Sequence, residues 1–419
     1  MTSLPSDVMD RIGASGTLWP DLEAICALGG RFAGTGSEAR ARDFLAQRLG
    51  DLCGAAPVAQ AVDYPGWTRG EAALEVGGTR LPCVSLVRSP ATPPQGLEAE
   101  VVDLGRGAEE DFARHAAEIP GRIALVRHEY MFATGTVHRR RKYQWALERG
   151  AAGFLIASHL PGEMPVTGSS GAEPGRGIPA AGVSAQTAAR LSGDKARFAK
   201  ARLRIAAQER PARAENLILD LPGRGPDWVV LCAHLDGHHL AESAMDNGTG
   251  LAAVLAVAGA MARVCGRFER GLRVAFFTVE EWALAGSRRY VDGLNGAERD
   301  AIALVLNLDS VAGSPHLTAL TSEFPAVEAF LLGAARSAGM ALGVYRPLMA
   351  NSDHYNFATR GIPATRLVAG FDERDSNLKY VLTRGDTLDK ITPPELEHAA
   401  RLAATLAVRA CQAPELALR

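Results

Sequence analysis

The sequence predicts an α/β protein with a mixed, mainly parallel sheet flanked by helices, and with a second mixed α/β domain inserted into it. Two observations predict this fold class. After residue 213, continuous apolar runs bounded by turns alternate with helical segments, which is typical of parallel strands buried on both faces. Between residues 61 and 212, short β-like runs are broken by proline and glycine. We therefore expect a main domain of residues 1–60 and 213–419 and an inserted domain of residues 61–212.

Three segments carry the patterns expected of helices. Residues 36–49, GSEARARDFLAQRL, place apolar side chains at helical spacing after a loop, which predicts an amphipathic helix. Residues 136–151, TVHRRRKYQWALERGA, predict the strong helix of the inserted domain, and the basic run at residues 138–142 is expected to form its solvated face. Residues 251–264 are apolar nearly all round, so this helix is expected to be buried.

Composition limits the partners that the chain is expected to have. The 419 residues are 47% hydrophobic and 22% charged, with a formal net charge of -2, so neither nucleic acid nor an anionic membrane is expected. The amino terminus lacks the pattern of a signal peptide, and no apolar run is long enough to span a membrane. The six cysteines are scattered without CxxC spacing, which favours reduced thiols. We expect a cytoplasmic protein with a small-molecule substrate, for which a homo-oligomer is a plausible assembly.

Residues that bind metals recur at the ends of the predicted parallel strands. His234 follows the apolar run VVLCA, Glu280 and Glu281 follow RVAFFTV, and Asp309 follows ALVLNL. Asp246 lies in the loop before the next helix. Open α/β sheets place their ligand crevices at the carboxyl ends of strands, so these side chains are expected to meet. A single Asp or His is more often a cap or turn former, but four independent positions together predict a metal site.

The neighbours of these residues predict how the site works. Asp236 is expected to accept a hydrogen bond from the second ring nitrogen of His234 and so to fix its tautomer. Adjacent strand residues face opposite ways, so Glu280 and Glu281 cannot both bind a metal from regular strand geometry. One of the two is expected to bind the metal while the other acts as general base on a water whose pKa the metal lowers.

Several motifs resemble those of one family, the M28 metallopeptidases, which are zinc aminopeptidase-like hydrolases. The matching segments cover most of residues 30–60 and 213–410: they are RFAGTGSEARARDFLAQRL, AHLDG, MDNGTG, FFTVEEWALAGS, LNLDS, SDHYNFATRGIPA and DTLDKI. In the inserted domain, GRIALVRHEYMF, ALERGAAGFLIAS and GIPAAGVSAQTAARL resemble a protease-associated (PA) domain. The resemblance implies an aminopeptidase-like fold with a PA insertion.

The resemblance also implies a role for each residue of the site. His234, Asp246 and Asp309 would bind one metal, and Asp246 would bridge to a second. Glu281 would bind that second metal, and Glu280 would be the general base.

One position departs from the family pattern. Two-metal members carry a histidine four residues before the Asp of the Asp-Thr pair, but here that residue is Leu382, which cannot bind a metal. We therefore expect one metal per chain rather than two. The oxygen-rich ligand set makes Mn²⁺ a rival to Zn²⁺. For His238 and His239, an exposed position on the loop and a role as ligand or catalytic group are equally compatible with the sequence. His354 is expected to face the substrate or support the ligands.

Three functions are compatible with this pattern. The preferred one is hydrolysis of a C–N bond in a small molecule, by an amidase or by an aryl-amine aminohydrolase of the 5-nitroanthranilate type, because the loss of the second metal region argues for a changed substrate. The alternative is an M28-type aminopeptidase or dipeptidase. A second alternative is an inactive PA-domain binding protein, although such a protein has no chemical need for Glu280.

Three arginines near the motifs are candidates for binding a substrate carboxylate: Arg366, Arg374 and Arg384. Because exposed arginines are common, a surface or structural role is the more frequent one for each.

Overall fold

The computed structural model describes residues 4–192 and 199–419, so residues 1–3 of the predicted main domain and 193–198 of the predicted inserted domain lie outside the described residues. The strands in the described residues are β1 Val58–Val76, β2 Thr79–Leu81, β3 Cys83–Ser85, β4 Leu97–Asp103, β5 Ile123–Arg127, β6 Gly153–Ala157, β7 Ala180–Val183, β8 Lys200–Leu221, β9 Trp228–His234, β10 Gly271–Phe277, β11 Ile302–Leu308, β12 Leu317–Leu320, β13 Gly343–Tyr345 and β14 Ala364–Ala369. The α-helices are α1 Leu4–Ala14, α2 Leu18–Ala27, α3 Gly36–Cys53, α4 Glu109–Arg114, α5 Arg139–Glu148, α6 Ala185–Leu191, α7 Thr249–Ala262, α8 Ala285–Asp292, α9 Gly296–Asp300, α10 Pro325–Ser337, α11 His354–Ala358 and α12 Pro393–Gln412.

The strands form one sheet in the order β13-β12-β14-β11-β9-β10-β8-β4-β5-β6-β7-β3, with β1 paired to β8 and β2. In the main domain, β14, β11, β9 and β10 are parallel, and β12 and β8 run antiparallel to this group. In the inserted domain, β4 to β7 are parallel. The predicted fold class, a mainly parallel sheet flanked by helices with an inserted mixed domain, is confirmed. The parallel strands of the main domain direct their carboxyl ends to one edge, where the site residues lie.

A long antiparallel ribbon joins the two parts of the sheet. β1 pairs with β8 from Val58 opposite Ile218 to Val76 opposite Ala201, with a register break between Arg69 and Ala72. One end of β8 pairs with β10 of the main domain, and the other end pairs with β4 of the inserted domain. The two domains therefore share their backbone hydrogen bonding, and the ribbon carries side chains between them.

The helix α7 is the buried element predicted around residues 251–264. Twelve of its residues are buried, and it packs against α2, α3 and α12 and against β9. The helical stretch Ala244–Ala262 is long and apolar enough to cross a membrane, but 94% of its most apolar window is buried inside the fold. Such a stretch is what the core helix of a globular domain looks like, and the predicted burial is confirmed.

The basic run on α5 differs from its prediction. Arg139 is 6% exposed and Lys142 is 0% exposed, so the interpretation of residues 138–142 as a solvated face is wrong. Lys142 Nζ donates to two backbone carbonyls and lies 2.6 Å from a carboxylate oxygen of Glu129. Arg139 and Lys142 are three residues apart and share the buried face with Tyr143, whereas Arg141 is the exposed member of the run. Periodicity placed the charges in solvent, but tertiary partners bring two of them inside.

Candidate metal centre

Three of the predicted ligands converge at the carboxyl edge of the main sheet. His234 is the last residue of β9, Asp309 follows β11, and Asp246 lies in the short π-helical turn Ala244–Gly248 before α7. The ligand atoms of the three buried side chains all lie within 4.8 Å of one another. His234 Nε2 is 3.0 Å from Asp246 Oδ1 and 3.5 Å from Asp309 Oδ1. One imidazole nitrogen and two carboxylates in this arrangement offer a cation three ligands at one point.

Two side chains hold the turn that presents Asp246. The carboxylate of Asp386 accepts hydrogen bonds from the backbone N–H groups of Met245, at 2.7 Å, and Asp246, at 3.3 Å. The Asn247 side chain donates to the carbonyl of Leu308, at 2.9 Å, and accepts from the N–H of Ser310, at 3.2 Å. The turn is therefore tied to the residues on either side of Asp309. Sequence reasoning did not assign Asp386 this role, because it lies 140 residues from its partner.

Asp236 has a different role from the predicted one. The bond to His234 Nδ1 is made by the backbone carbonyl of Asp236, at 2.8 Å, whereas its carboxylate oxygen is 4.0 Å from that nitrogen. The prediction that the carboxylate fixes the ring is therefore wrong. The carboxylate instead accepts the backbone N–H groups of Glu280, at 2.9 Å, and Glu281, at 3.2 Å. Asp236 thus sets the tautomer of His234 through its main chain and positions the two glutamates through its side chain.

The two glutamates lie in the irregular loop after β10 and differ in their surroundings. Both are buried, and burial raises the pKa of each carboxyl above its usual range, with His234 opposing the rise at Glu280. For Glu281 the next largest effect on the pKa is the charge of Asp246. Among the described residues, Glu281 Oε1 has no hydrogen-bond partner although this atom is buried. A buried, unpartnered carboxylate oxygen beside further carboxylates is stable only when a proton or a cation neutralises it.

Neighbouring charges shift the pKa values of His234 and Asp309 in opposite directions in the metal-free protein. Burial lowers the pKa of His234, but Asp309 and Asp246 outweigh it and raise this pKa well above its usual range in the metal-free protein. Burial raises the pKa of Asp309, but Arg366 and His234 outweigh it and hold that pKa below its usual range. The proton on His234 therefore occupies the place that a metal takes, and the residues fit a divalent cation such as Zn²⁺ or Mn²⁺.

The structure separates the three arginines that were considered for substrate binding. Arg366 is buried, and its guanidinium lies 3.1 Å from Asp309 Oδ2 and donates to the carbonyl of Asn351, at 2.9 Å. Its role is to support a metal ligand. A charged residue inside the apolar strand ATRLVA was the signal that could have revealed this. Arg374 and Arg384 are exposed, and Arg384 makes no hydrogen bond or ion pair with any residue that the structure describes. A role of Arg384 in binding the substrate therefore stays a prediction.

The three further histidines considered in the sequence analysis differ from one another in burial and partners. His238 is buried rather than exposed, and its Nε2 lies 3.4 Å from Asp386 Oδ2. His239 is half-buried and packs edge-on against Phe32 with ring centroids 4.4 Å apart; burial and Arg69 lower its pKa to about 3. His354 is buried without partners for either ring nitrogen, and burial lowers its pKa to about 3. His238 and His354 are thus buried inside the fold, while His239 lines a cleft of about 290 Å³.

The place of the missing histidine is taken by a contact between the domains. Leu382 is buried, and its carbonyl accepts the N–H of Thr167 from the inserted domain at 2.9 Å. The residue that departs from the family pattern therefore anchors the inserted domain next to the site.

The fold and the cluster together define an aminopeptidase-like α/β architecture with a candidate site for a divalent metal. Residues 216–407 match peptidase family M28, and residues 86–191 match the PA domain. The M28 metallopeptidase-like architecture with a PA domain, which the sequence motifs predicted, is therefore confirmed.

Two similar sequences extend this comparison. A probable leucine aminopeptidase 2 of Aspergillus fumigatus is 31% identical over 320 residues, which are 73% of this chain and 61% of the relative. Aminopeptidase YwaD of Bacillus subtilis is 26% identical over 384 residues, which are 90% of this chain and 80% of that protein. The chain thus spans less than two thirds of the first of these relatives.

Solved structures share the fold over nearly the whole chain. The peptidase M28 precursor from Shewanella amazonensis superposes with a TM-score of 0.82 at 24% identity, covering 99% of this chain and 97% of that one. The aminopeptidase from Aneurinibacillus sp. strain AM-1 gives a TM-score of 0.75 at 22% identity, covering 99% and 98%. At these identities the likeness concerns the fold.

Proposed function

We propose that the protein is a metal-dependent aminopeptidase that removes the amino-terminal residue from short peptides. The observation that carries the proposal is the convergence of His234, Asp246 and Asp309 within 4.8 Å, beside the two glutamates that Asp236 holds. The similar sequences named as aminopeptidases support this function over the small-molecule aminohydrolase that the sequence alone favoured. The inactive-protein alternative has no support from these relatives.

Each residue has a defined task in this proposal. His234, Asp246 and Asp309 hold a divalent metal, which supplies a Lewis acid for the scissile carbonyl and for water when bound. Glu280, whose backbone is fixed by Asp236, takes a proton from the attacking water and passes it to the leaving amine. The buried Oε1 of Glu281 and the carboxylate of Asp246 form the negative side of the site, which attracts the substrate ammonium group.

We propose one metal per chain, as the sequence favours. Within the described residues, the group that could hold a metal consists of His234, Asp246 and Asp309 and does not include Glu281. Leu382, at the position of the family's second-metal histidine, offers no ligand atom. Metal content per chain, measured by plasma mass spectrometry after titration with Zn²⁺ and Mn²⁺, tests this number. Saturation at two metals would reject it and would assign Glu281 and a further histidine to a second site.

The function is tested with the Glu280→Gln variant and two substrate classes. Leucyl-p-nitroanilide and leucyl dipeptides test for an aminopeptidase, and 5-nitroanthranilate tests for the aryl-amine aminohydrolase. We expect turnover of the leucyl compounds by the wild type and a loss of roughly a hundredfold or more in kcat in Glu280→Gln, with metal content unchanged. Turnover of 5-nitroanthranilate alone would overturn the proposal, and full activity of the variant would remove Glu280 from the mechanism.

A further inference from the structure

Three arginines on the inserted side of the molecule form no ion pair with any residue that the structure describes. Arg139 begins α5 and is buried, Arg140 follows it, and Arg69 lies on the β1 ribbon strand. Within residues 4–192 and 199–419, no carboxylate lies within ion-pair distance of any of the three. The Nε atoms of Arg69 and Arg140 are buried without hydrogen-bond partners. Burying unpaired guanidinium groups costs stability, so their placement requires a reason other than folding.

A tight loop at residues 167–171 holds these side chains in place. Arg139 Nε donates to the carbonyl of Ser169 at 2.7 Å, and a Cβ added at Gly168 would overlap its guanidinium group. At Gly171 an added Cβ would lie 3.0 Å from Cγ of Arg140. The loop is therefore shaped by two glycines so that two arginines can lie across it.

The same loop is fastened to the metal centre. Arg69 donates from Nη2 to the Thr167 hydroxyl at 3.0 Å, and also bonds the carbonyl of Ser85. The N–H of Thr167 donates to the carbonyl of Leu382, which is four residues before Asp386. Asp386 in turn accepts the N–H of Asp246. Hydrogen bonds and the backbone segment from Leu382 to Asp386 therefore connect Arg69 with a metal ligand.

Geometry and charge both bring these arginines near the site. Arg69 lines the same cleft of about 290 Å³ as His239. Burial lowers the pKa of Arg139 to about 10, and the carboxylates of Glu281 and Glu280 are the charges that oppose this decrease most strongly. The same two carboxylates act on Arg140, whose pKa burial also lowers, and Glu281 acts on Arg69. The charges of the arginines and of the two glutamates therefore interact, and no ion pair forms between them within the described residues.

We infer that Arg139, together with Arg69 and Arg140, binds the free carboxylate of the substrate on the leaving-group side of the scissile bond, so that dipeptides are the preferred substrates. The inference rests on the proposed aminopeptidase function and names its substrate class. A dipeptide carries an ammonium group at one end and a carboxylate at the other, about 7 Å apart in the extended form. These charges match the acidic side of the metal centre and the arginines opposite it, and a guanidinium fork binds a planar carboxylate through two hydrogen bonds.

The test compares leucylglycine with leucylglycinamide, which differ only in the carboxylate. For the metal-loaded wild type we expect kcat/KM to be roughly 10- to 100-fold higher for leucylglycine, the range of a hydrogen-bonded charge. In Arg139→Gln the ratio of the two kcat/KM values should fall to within about threefold. Arg141→Gln is the matched control, because Arg141 is the exposed neighbour on the same helix, and its preference should equal that of the wild type.

A second measurement does not depend on turnover. With metal-free protein, leucylglycine should raise the thermal unfolding midpoint more than leucylglycinamide does, and Arg139→Gln should abolish the difference. The comparison of the two compounds in the wild type decides the question even if the variant does not fold.

The outcomes separate this inference from the proposed function. Equal turnover of both compounds by the wild type, or an equal loss of both in Arg139→Gln, would overturn carboxylate binding and leave the aminopeptidase in place. Failure to hydrolyse any aminoacyl substrate would overturn the proposed function, and the thermal shifts of metal-free protein would still decide whether the arginines bind the carboxylate.

Discussion

At the scale of single residues, the site depends on what each backbone is bonded to as much as on which side chains are present. Asp236 shows this, because its carboxylate binds the N–H groups of two consecutive glutamates while its own carbonyl binds His234. The two glutamates are therefore presented from an irregular loop rather than from a strand, which lets neighbours in sequence serve the same site.

Replacing Asp236 by Asn tests this positioning role. The asparagine side chain has a single acceptor oxygen, so it can accept only one of the two backbone N–H groups. Its NH2 group then faces the remaining N–H without a hydrogen bond. We expect kcat to fall roughly 10- to 100-fold, as for other residues that orient metal sites. Plasma mass spectrometry should show whether metal is retained, and Asp63→Asn, at an exposed carboxylate on the ribbon, should behave as the wild type. A variant with unchanged kcat would show that the glutamates are held by other contacts.

The buried carboxyl of Glu38 predicts a pH dependence of stability. Burial raises its pKa from 4.5 to about 7, and Asp236 adds to the rise. Because the folded state binds this proton more tightly than the unfolded state, its contribution to stability is present below pH 4.5 and is lost as pH rises through 7. In chelated protein, Glu38→Gln should therefore gain about 2–3 kcal/mol relative to the wild type between pH 5 and pH 8. Denaturant midpoints at the two pH values measure this; an unchanged difference would mean that Glu38 titrates normally.

At the scale of elements, the register of helices and loops decides which charges face the site. Helix α5 lies within the predicted segment 136–151 but is shorter, Arg139–Glu148, and Arg139 and Lys142 lie inside the fold. The element was predictable from local spacing, but the identity of its buried face was not, because that face is chosen by the sheet and loop packed against it.

Two glycines with positive φ allow a matched test of the 167–171 loop. Gly168 has φ 109° and an added Cβ meets Arg139, whereas Gly162 has φ 88° and open space around it. Both Gly→Ala changes strain the backbone, but only Gly168→Ala should also displace Arg139. We therefore expect Gly168→Ala to lower the free energy of unfolding by about 1–3 kcal/mol more than Gly162→Ala does. It should also raise KM for leucylglycine. Equal denaturant midpoints for the two variants would show that the loop yields without disturbing Arg139.

At the scale of the whole molecule, the β1–β8 ribbon joins the two domains, and one apolar core includes residues of both, such as Phe154 and Leu308. Further bonds cross between the domains, including those from Thr134 to Asp372 at 2.7 and 2.8 Å. The inserted domain is therefore part of the wall of the site and not a separate appendage.

Metal binding should stabilise this assembly as a unit, because the three ligands come from separate segments of the chain. At a metal concentration 100 times the dissociation constant, one site adds about 2.7 kcal/mol. We expect chelation to lower the calorimetric midpoint of a single unfolding transition and Zn²⁺ to restore it. His234→Ala should abolish the response to metal. A midpoint unaffected by chelator in the wild type would contradict a metal held by His234, Asp246 and Asp309.

The sequence by itself determined the alternating strands and helices, the buried helix α7, the placing of His234 and Asp309 at strand ends and that of Asp246 in the loop before α7. These features depend on spacing within a dozen residues, and parallel strands bring their carboxyl ends together wherever the fold forms. Only the tertiary structure decided that Asp236 holds the two glutamates, that Asp386 and Arg366 support ligands, and that Arg139 and Lys142 lie on the buried face of α5. Each of these depends on partners far away in the chain, and a charge becomes a buried functional group only when long-range packing removes its water.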